Sequence, residues 1–273
     1  MVEFTPEDVE QRATEKFEKG VLTKSLVAFV DLLGFKASLE DEWEEDAESF
    51  IKRILKIKSF IEIAKEKAKV HTFTKYDKKT IIDKTKYPDY ITVSDAFIFF
   101  KEIDESTPQK TIISILSMVA SIYELWRASI LHGFTIRGAI EYGEVFYSDD
   151  EVIGPSYMEA YKGESKDAKT SRVICFKKIA EIIKSNYDLV DPVLQDYCRL
   201  WFKKEDDEWL IINPLTAFGI DNEERVSEAL ELVKEMELGA NSDKIKIKYQ
   251  DLIKYLTDRR KIYSDPKIFN SKT

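Results

Sequence analysis

The sequence has few of the residues that build metal frameworks or disulfide scaffolds. Its 273 residues include two cysteines and two histidines. Cys175 and Cys198 have no metal-ligand spacing and form no disulfide framework, a pattern that favours a reducing compartment. His71 and His132 lie apart without a nucleophile motif, so the sequence offers no support for acid–base catalysis by histidine. These absences exclude a cysteine-based metal site and a disulfide-rich fold.

Long apolar runs and an excess of positive charge are also missing. No apolar stretch approaches the length that spans a bilayer. Residues 1–12 (MVEFTPEDVEQR) are acidic and lack the apolar centre of a signal peptide. The formal net charge is −9, which argues against binding of duplex nucleic acid. We therefore expect a cytoplasmic protein without a membrane segment, in which any nucleotide site gathers local cations.

Length and composition leave room for a buried core under a charged surface. Hydrophobic residues make up 44% of the chain and charged residues 34%. The length suits one large domain, or a medium domain with an appendage. With no internal repeat or low-complexity linker visible, we predict one domain over residues 1–220 and a helical appendage over 221–273.

Hydrophobic patterning predicts the first elements. Residues 25–31 (SLVAFVD) indicate a buried strand with Asp31 at its exposed end, before a turn. An acidic stretch (40–48) follows, and then a helix is predicted from about residue 50. The lysines of this helix are interpreted as a solvated face, with a phosphate-binding surface as the alternative. Residues 71–86 are polar and indicate a loop or the tip of a hairpin.

A hairpin, a helix and further strands follow. Residues 90–100 predict a hairpin with Asp95 at its bend, and 107–131 a long helix. Two strands (133–141 and 144–147) precede a helix that begins at Gly154-Pro155 and runs to about residue 169. Residues 172–176 indicate another buried strand. The order predicts an α+β fold, a ferredoxin-like βαββαβ palm.

The remaining residues predict less specific elements. Residues 209–214 read as an edge strand that ends at a proline. Asp221 and Glu224 form a pattern like a capping box for one helix. A second helix is predicted over 245–262. Lys203 and Lys204 are interpreted as part of an exposed edge, with contact to a triphosphate as the alternative.

Four segments together resemble the class III adenylate and guanylate cyclase domain. They are residues 29–35 (FVDLLGF), 93–96 (VSDA), 136–143 (IRGAIEYG) and 154–161 (GPSYMEAY) with Glu164. In that family the first two segments carry two metal-binding aspartates, and the last lies on a helix with transition-state residues. In this sequence the motifs contain Ser-Asp, Arg-Gly-Ala-Ile and Gly-Pro, and these forms are most similar to the bacterial branch that includes the Pycsar pyrimidine cyclases. None of these motifs is diagnostic alone.

The resemblance implies a metal-dependent cyclase that acts on a nucleoside triphosphate. Asp31 and Asp95 would hold two Mg²⁺ or Mn²⁺ ions, because hard divalent ions take carboxylate oxygens and substrate phosphates complete their coordination. The backbone of Leu32, Leu33, Gly34 and Phe35 would bind the triphosphate. The alternative is that Asp31 merely ends a strand and Asp95 satisfies a turn.

The sequence also departs from the family pattern. Where the family has an asparagine and an arginine on the catalytic helix, this sequence has Met158 and Lys162. Lysine carries a positive charge but cannot make the paired hydrogen bonds of a guanidinium group. The family's aspartate that recognises adenine corresponds to Glu151 here. The family's lysine that recognises adenine corresponds to a position near Asp89 and Tyr90, where there is no lysine. The pair of residues that recognises adenine is therefore incomplete.

These departures favour a pyrimidine triphosphate, UTP or CTP, with Tyr90 or Thr92 as a donor to a base carbonyl. Arg137 either points into the nucleotide site or pairs with a surface acid. The family's shared sites imply a homodimer. Two hypotheses result: a cyclase whose product serves signalling or anti-phage defence, with Lys162 and Arg137 acting on the transition state, or a degenerate module that binds a nucleotide without turnover.

Overall fold

The computed structural model describes residues 5–74, 81–218, 223–240, 243–258 and 264–269. In chain order its strands are β1 (Val21–Leu33), β2 (Val70–Thr74), β3 (Ile81–Lys86), β4 (Asp89–Val93), β5 (Ala96–Glu102), β6 (Thr135–Tyr147), β7 (Val152–Ile153), β8 (Val173–Cys175), β9 (Phe202–Lys204) and β10 (Leu210–Ile212). Its helices are α1 (Pro6–Lys19), α2 (Phe35–Ala68), α3 (Pro108–Leu131), α4 (Pro155–Lys162), α5 (Lys177–Tyr187), α6 (Pro192–Trp201), α7 (Pro214–Ala217), α8 (Glu223–Gly239) and α9 (Asp243–Thr257). A π-helical turn (Gly163–Ala168) continues α4, and a short 3₁₀ turn (Pro266–Ile268) lies near the C-terminus.

The central sheet has the strand order β4-β5-β1-β6-β8-β10-β9, and β7 pairs with β6. Neighbouring strands among its first four run antiparallel, whereas β6 and β8 are parallel. Taken with α2 and α3, these strands are connected as βαββαβ, with β1 and β5 between β4 and β6, which is the ferredoxin-like arrangement. The predicted α+β fold is confirmed. The β2–β3 hairpin is a separate addition between α2 and β4.

The two faces of the sheet are covered unequally. Alternate residues of β1 point to opposite faces. Leu26, Ala28, Val30 and Leu32 belong to the main core, which packs against α2 and α3. The opposite face of β1 contributes to a smaller cluster that packs against α4, with the members Val27, Phe29, Ala96, Ile98, Phe100, Val145 and Ala160. The face of β1 that carries Phe29 therefore has the smaller of these two hydrophobic clusters.

Helix α3 is the central helix of the core. Thr107 caps it by accepting a hydrogen bond from the Lys110 N–H at 3.2 Å, and Pro108 occupies its first turn. Among the described helices, α3 alone is long and apolar enough to cross a membrane, so the expectation that no stretch approaches this length was wrong. Its most apolar 18-residue window is 83% buried inside the protein, as a core helix would be.

Three predictions about strands and helices need correction. The two strands predicted on either side of Gly143 form one continuous strand, because β1 pairs with β6 from Val21–Tyr147 to Leu33–Thr135. The predicted edge strand, β10, lies inside the sheet between β8 and β9, and β9 is the edge strand that carries Lys203 and Lys204. The acidic stretch belongs to α2, which begins at residue 35 and kinks at Asp46.

Further helices and the C-terminal region complete the description. Patterning did not predict α1, α5 or α6. Residues 71–86 contain β2 and β3, whereas Asp221 and the end of the second C-terminal helix (259–262) lie outside the described residues. Helix α9 buries Tyr249, Leu252 and Leu256 in the main core.

Candidate active site

Asp31 lies near the end of β1 on the face that packs against α4. It follows Phe29 by two residues and therefore shares its face. In the sheet it pairs with Ala96 of β5 on one side and with Arg137 of β6 on the other. Its side chain is 24% exposed, so a ligand can reach a carboxylate that is largely surrounded by protein.

Asp95 is brought to Asp31 by the bend of the β4–β5 hairpin. Val93 pairs with Ala96, so Ser94 and Asp95 form the two-residue turn. Ser94 adopts a positive φ of 54°, which such tight turns require. The N–H of Leu32 donates a hydrogen bond to the main-chain oxygen of Asp95 at 3.3 Å. This bond attaches the bend to the end of β1.

Asp31 lies in an environment that disfavours the ionised form of its carboxyl group. Burial raises the pKa of Asp31 to about 8. A hydrogen bond with the Asp95 side chain and its negative charge act in the same direction, and the nearby Arg137 opposes them. Without a cation, the ionised form of Asp31 is therefore disfavoured at neutral pH.

Arg137 and Glu164 complete the centre. The Arg137 Nε donates to Glu164 Oε1 at 2.6 Å, and its Nη2 lies 3.9 Å from Asp31 Oδ2. Glu164 comes from the π-helical turn after α4, and its side chain is 5% exposed. Burial raises the pKa of Glu164, and the charge and hydrogen bonds of Arg137 lower it. Arg137 thus pairs with a buried acid beside Asp31. The sequence left two other arrangements open, a side chain that points into the nucleotide site and a pair with a surface acid.

The predicted phosphate-binding turn is shorter than expected. Leu32 and Leu33 are buried members of β1, and the Leu32 N–H already bonds to Asp95. Gly34, with φ +100°, is the turn residue, and α2 begins at Phe35 without a side-chain cap. The backbone available to an anion is therefore Gly34 and the first turn of α2.

The residues predicted to read the base lie away from the two aspartates. Tyr90 packs against the main core, whereas its neighbour Ile91 packs on the α4 side, so Tyr90 and Thr92 point to the opposite face from Asp31. Glu151 follows the far end of β6, where Lys16 of α1 contacts it at 2.8 Å. At that end of β6, Tyr147 pairs with Val21 of β1. Val21 precedes Asp31 by ten residues, so this end of the sheet lies roughly 30 Å from Asp31 at about 3.3 Å per residue.

Lys162 and Met158 lie on the exposed side of α4. The Lys162 ammonium contacts Glu159 at 2.7 Å, and both side chains are about half-exposed. Met158 and Tyr161 are large exposed side chains on the same helix. Within one chain, therefore, no described contact joins Lys162 to the aspartates.

Asp31 and Asp95 fit the chemistry of a divalent-cation site. A divalent cation bound by Asp31 and Asp95 would favour the ionised form of Asp31, which burial and the charge of Asp95 disfavour. Glu164 is already paired with Arg137, so it is less available as a ligand. In the parts of the chain that the structure describes, no group of three or more His, Cys, Asp or Glu side chains could hold a metal ion. Two protein carboxylates require further ligands from the substrate.

We predict that the metal-free protein loses stability as the pH rises from about 4 to 8. The folded-state pKa of Asp31 is about 8, above its ordinary value of 3.8. The resulting stabilisation is complete below the unfolded value and is lost as the pH rises through the folded one. In EDTA, the thermal midpoint of the wild type should therefore fall more between pH 5 and pH 8 than that of Asp31→Asn.

The same thermal midpoints are then measured with added Mn²⁺. Because a metal ion binds the deprotonated carboxylates, added Mn²⁺ should raise the wild-type midpoint more at pH 8 than at pH 5. The Asp31→Asn variant should respond less. Parallel pH profiles for the two proteins would contradict the raised pKa of Asp31.

Comparisons with known proteins find similarity at the level of structure. No protein-family model and no curated protein sequence matches this chain. The guanylyl cyclase Cya2 has 13% identity and a TM-score of 0.38, over 60% of this chain and 80% of its own. A class III adenylyl cyclase-like ATP-binding protein from Pseudomonas aeruginosa has 12% identity and a TM-score of 0.44, over 77% of this chain and 41% of its own.

A bacterial light-regulated adenylyl cyclase has 10% identity and a TM-score of 0.41, over 80% of this chain and 58% of its own. The chain thus spans less than two thirds of the length of two of these three proteins. Similarity at this level leaves activity to be argued from the side chains around Asp31.

Proposed function

We propose that the protein is a metal-dependent nucleotidyl cyclase. It converts a nucleoside triphosphate into a 3′,5′-cyclic mononucleotide and pyrophosphate. The observation that carries this proposal is the convergence of Asp31 and Asp95 on one point, in an environment that raises the pKa of Asp31 to about 8. The ordered sequence motifs around both aspartates support it.

The reaction joins the 3′-oxygen to the α-phosphorus as the bond from that phosphorus to pyrophosphate breaks. Asp31 and Asp95 would hold the divalent ions, proposed to be two Mg²⁺ or Mn²⁺. When bound, such ions lower the pKa of the attacking hydroxyl and neutralise charge on the phosphates. Gly34 and the first turn of α2 offer N–H groups to phosphate oxygens. Arg137 contributes positive charge beside Asp31, with its guanidinium oriented by Glu164.

We further propose that the active unit is a homodimer. Lys162, Met158 and Tyr161 are exposed on α4, which covers the same face of the sheet as Asp31. Lys162 and Glu151 do not approach the aspartates of their own chain. A second copy that packs on this face can present its Lys162 to the first chain's metal site, and symmetry makes the arrangement mutual.

Dilution tests the dimer. If each site needs two copies, specific activity should fall when the protein is diluted below its dimer dissociation constant. Sedimentation at the same concentrations should show the matching change in mass. A Tyr161→Arg variant places a charge on the exposed side of α4 and should be monomeric, and because the Tyr161 ring also packs on Phe29 at 5.2 Å, its mass rather than its activity is the readout. Full activity from a strictly monomeric protein would contradict the proposal.

For the substrate and role, we propose a pyrimidine triphosphate and a signalling product. The motifs that resemble the Pycsar branch are Ser94-Asp95, Arg137 to Ile140 and Gly154-Pro155, and they favour a role in anti-phage defence. Nucleoside triphosphates and reduced thiols both suit a cytoplasmic location, and Cys175 and Cys198 are free and buried.

A second candidate function is a nucleotide-binding module without turnover. It is favoured by Met158, which cannot donate the hydrogen bonds of an asparagine, and by the pairing of Lys162 with Glu159. Incubation with each of the four nucleoside triphosphates and Mn²⁺, followed by mass analysis, separates the two functions. A cyclic product with pyrophosphate supports the enzyme. Saturable binding without product supports the module.

A further inference from the structure

The C-terminal helix α9 reaches the turn between β1 and α2. A methyl group on Gly34 would lie 2.7 Å from the hydroxyl oxygen of Tyr249. Gly34 precedes the first turn of α2, which has no side-chain cap. The N–H groups of such a turn are the groups that an anion binds. The Tyr249 hydroxyl therefore lies where the proposed function places the phosphates.

The position of α9 is set by packing in the core. Tyr249, Leu252 and Leu256 follow one stripe of the helix and are 5%, 0% and 1% exposed. The side chain of Gln250 donates a hydrogen bond to Glu237 of α8 at 2.7 Å. Burial raises the pKa of Tyr249, so its hydroxyl stays protonated as a donor. The ring is thus held by the core while the polar end remains at the turn.

Lys248 directly precedes Tyr249 on α9, so its positively charged side chain starts one residue away from the ring at Gly34. Its charge opposes the effect of burial on the pKa of Glu164, so the two groups interact. Glu164 contacts Arg137, which lies 3.9 Å from Asp31. Around Asp31, three carboxyl groups (Asp31, Asp95 and Glu164) outnumber two cationic side chains, Arg137 and Lys58, the latter of which interacts with Asp95. A triphosphate therefore needs additional cations here, and a lysine can supply one as a point charge.

We propose that α9 supplies two phosphate ligands to the nucleotide site, the ammonium group of Lys248 and the hydroxyl group of Tyr249. The inference rests on the proposed function, because it takes the turn at Gly34 as the phosphate-binding turn. It makes the C-terminal helix part of the nucleotide site, although the sequence predicts an appendage there.

Binding of ligands that cannot react tests these contacts. We would measure the affinity of the full-length protein for the four 3′-deoxynucleoside triphosphates, which lack the attacking hydroxyl, and for inorganic tripolyphosphate, both with Mn²⁺. Lys248→Met should weaken binding of the preferred nucleotide and of tripolyphosphate by about tenfold or more. Tyr249→Phe keeps the buried ring and should weaken both by a smaller factor, about threefold to tenfold.

Lys254→Met is the matched control, because it removes the same charge from an exposed position on the same helix. It should bind like the wild type, and thermal midpoints should confirm that all three variants fold. If the wild type binds and Lys248→Met binds equally well, the inference fails and the proposed function stands. A loss confined to the nucleotide, with tripolyphosphate unaffected, also overturns the phosphate contact. If the wild type binds none of these ligands, both proposals fail.

Discussion

Replacing Asp31 or Asp95 by alanine is expected to lower metal-dependent cyclisation by at least about 1000-fold while the chain stays folded. Charge stabilisation by bound metal ions contributes several kcal/mol to a transition state, and each 1.4 kcal/mol corresponds to a factor of ten in rate. Folding should not suffer, because burial and Asp95 already disfavour the charged form of Asp31. The measurement is the initial rate with Mn²⁺, together with the thermal midpoint of each variant.

The hairpin turn between β9 and β10 offers a control. Asp206 is an exposed aspartate in that turn, as Asp95 is a turn residue between β4 and β5. Asp206→Ala should leave the rate within about twofold of wild type, as expected for a surface position. Asp31→Asn removes the negative charge while keeping the shape, and should be as inactive as Asp31→Ala. Near-wild-type turnover by either site variant would refute metal binding, and unfolding of both would make the aspartates structural.

The central part of the fold could be predicted because its signals are local. Apolar runs predicted the strand that carries Asp31 near its end and the two strands on either side of Asp95, and a 3.6-residue period predicted α3. The two-residue turn at Ser94 and Asp95 fixes the register of its hairpin, so the bend position followed from sequence alone. The same reasoning failed at Gly143, because its pairing with Ser25 depends on how far β1 extends.

Other features of the site depend on contacts distant in sequence. Glu164 is on a π-helical turn, a rare element without a sequence signal, and its partner Arg137 is on β6. Tyr249 follows Gly34 by more than 200 residues and meets it only because α9 packs into the core. The acid at position 164 was noted as part of a motif, yet only the fold shows that it is buried beside Asp31.

The orientation of Tyr90 and Thr92 could not be predicted from the sequence for a different reason. A strand's alternation separates two faces but does not say which face carries the site. Packing against the main core places Tyr90 opposite to Asp31, so these residues cannot read a base beside their own chain's aspartates. On the α4 side of β4, Ile91 takes the corresponding place and offers no hydrogen bond.

In a competition among equimolar ATP, GTP, CTP and UTP, we expect a cyclic pyrimidine nucleotide to be the main product. Adenine recognition needs a donor for a ring nitrogen and an acceptor for the exocyclic amine. Glu151 of a second copy could accept once it leaves its pair with Lys16 at 2.8 Å. Ile91 cannot donate, and Asp89 is an acceptor that pairs with Lys65 at 2.8 Å. An unpaired polar edge costs about 1–3 kcal/mol, or roughly tenfold to a hundredfold in selectivity against adenine.

The identity of the product and one variant settle this prediction. Mass analysis of the mixed reaction gives the ratio of the four cyclic products directly. If Glu151 accepts from the base, Glu151→Gln should change that ratio at least about tenfold while activity remains dependent on Mn²⁺. Glu144→Gln, which neutralises an exposed acid on β6, should leave the ratio unchanged. Dominant cyclic AMP or cyclic GMP would refute the pyrimidine preference, and binding without any product would favour the module that does not turn over.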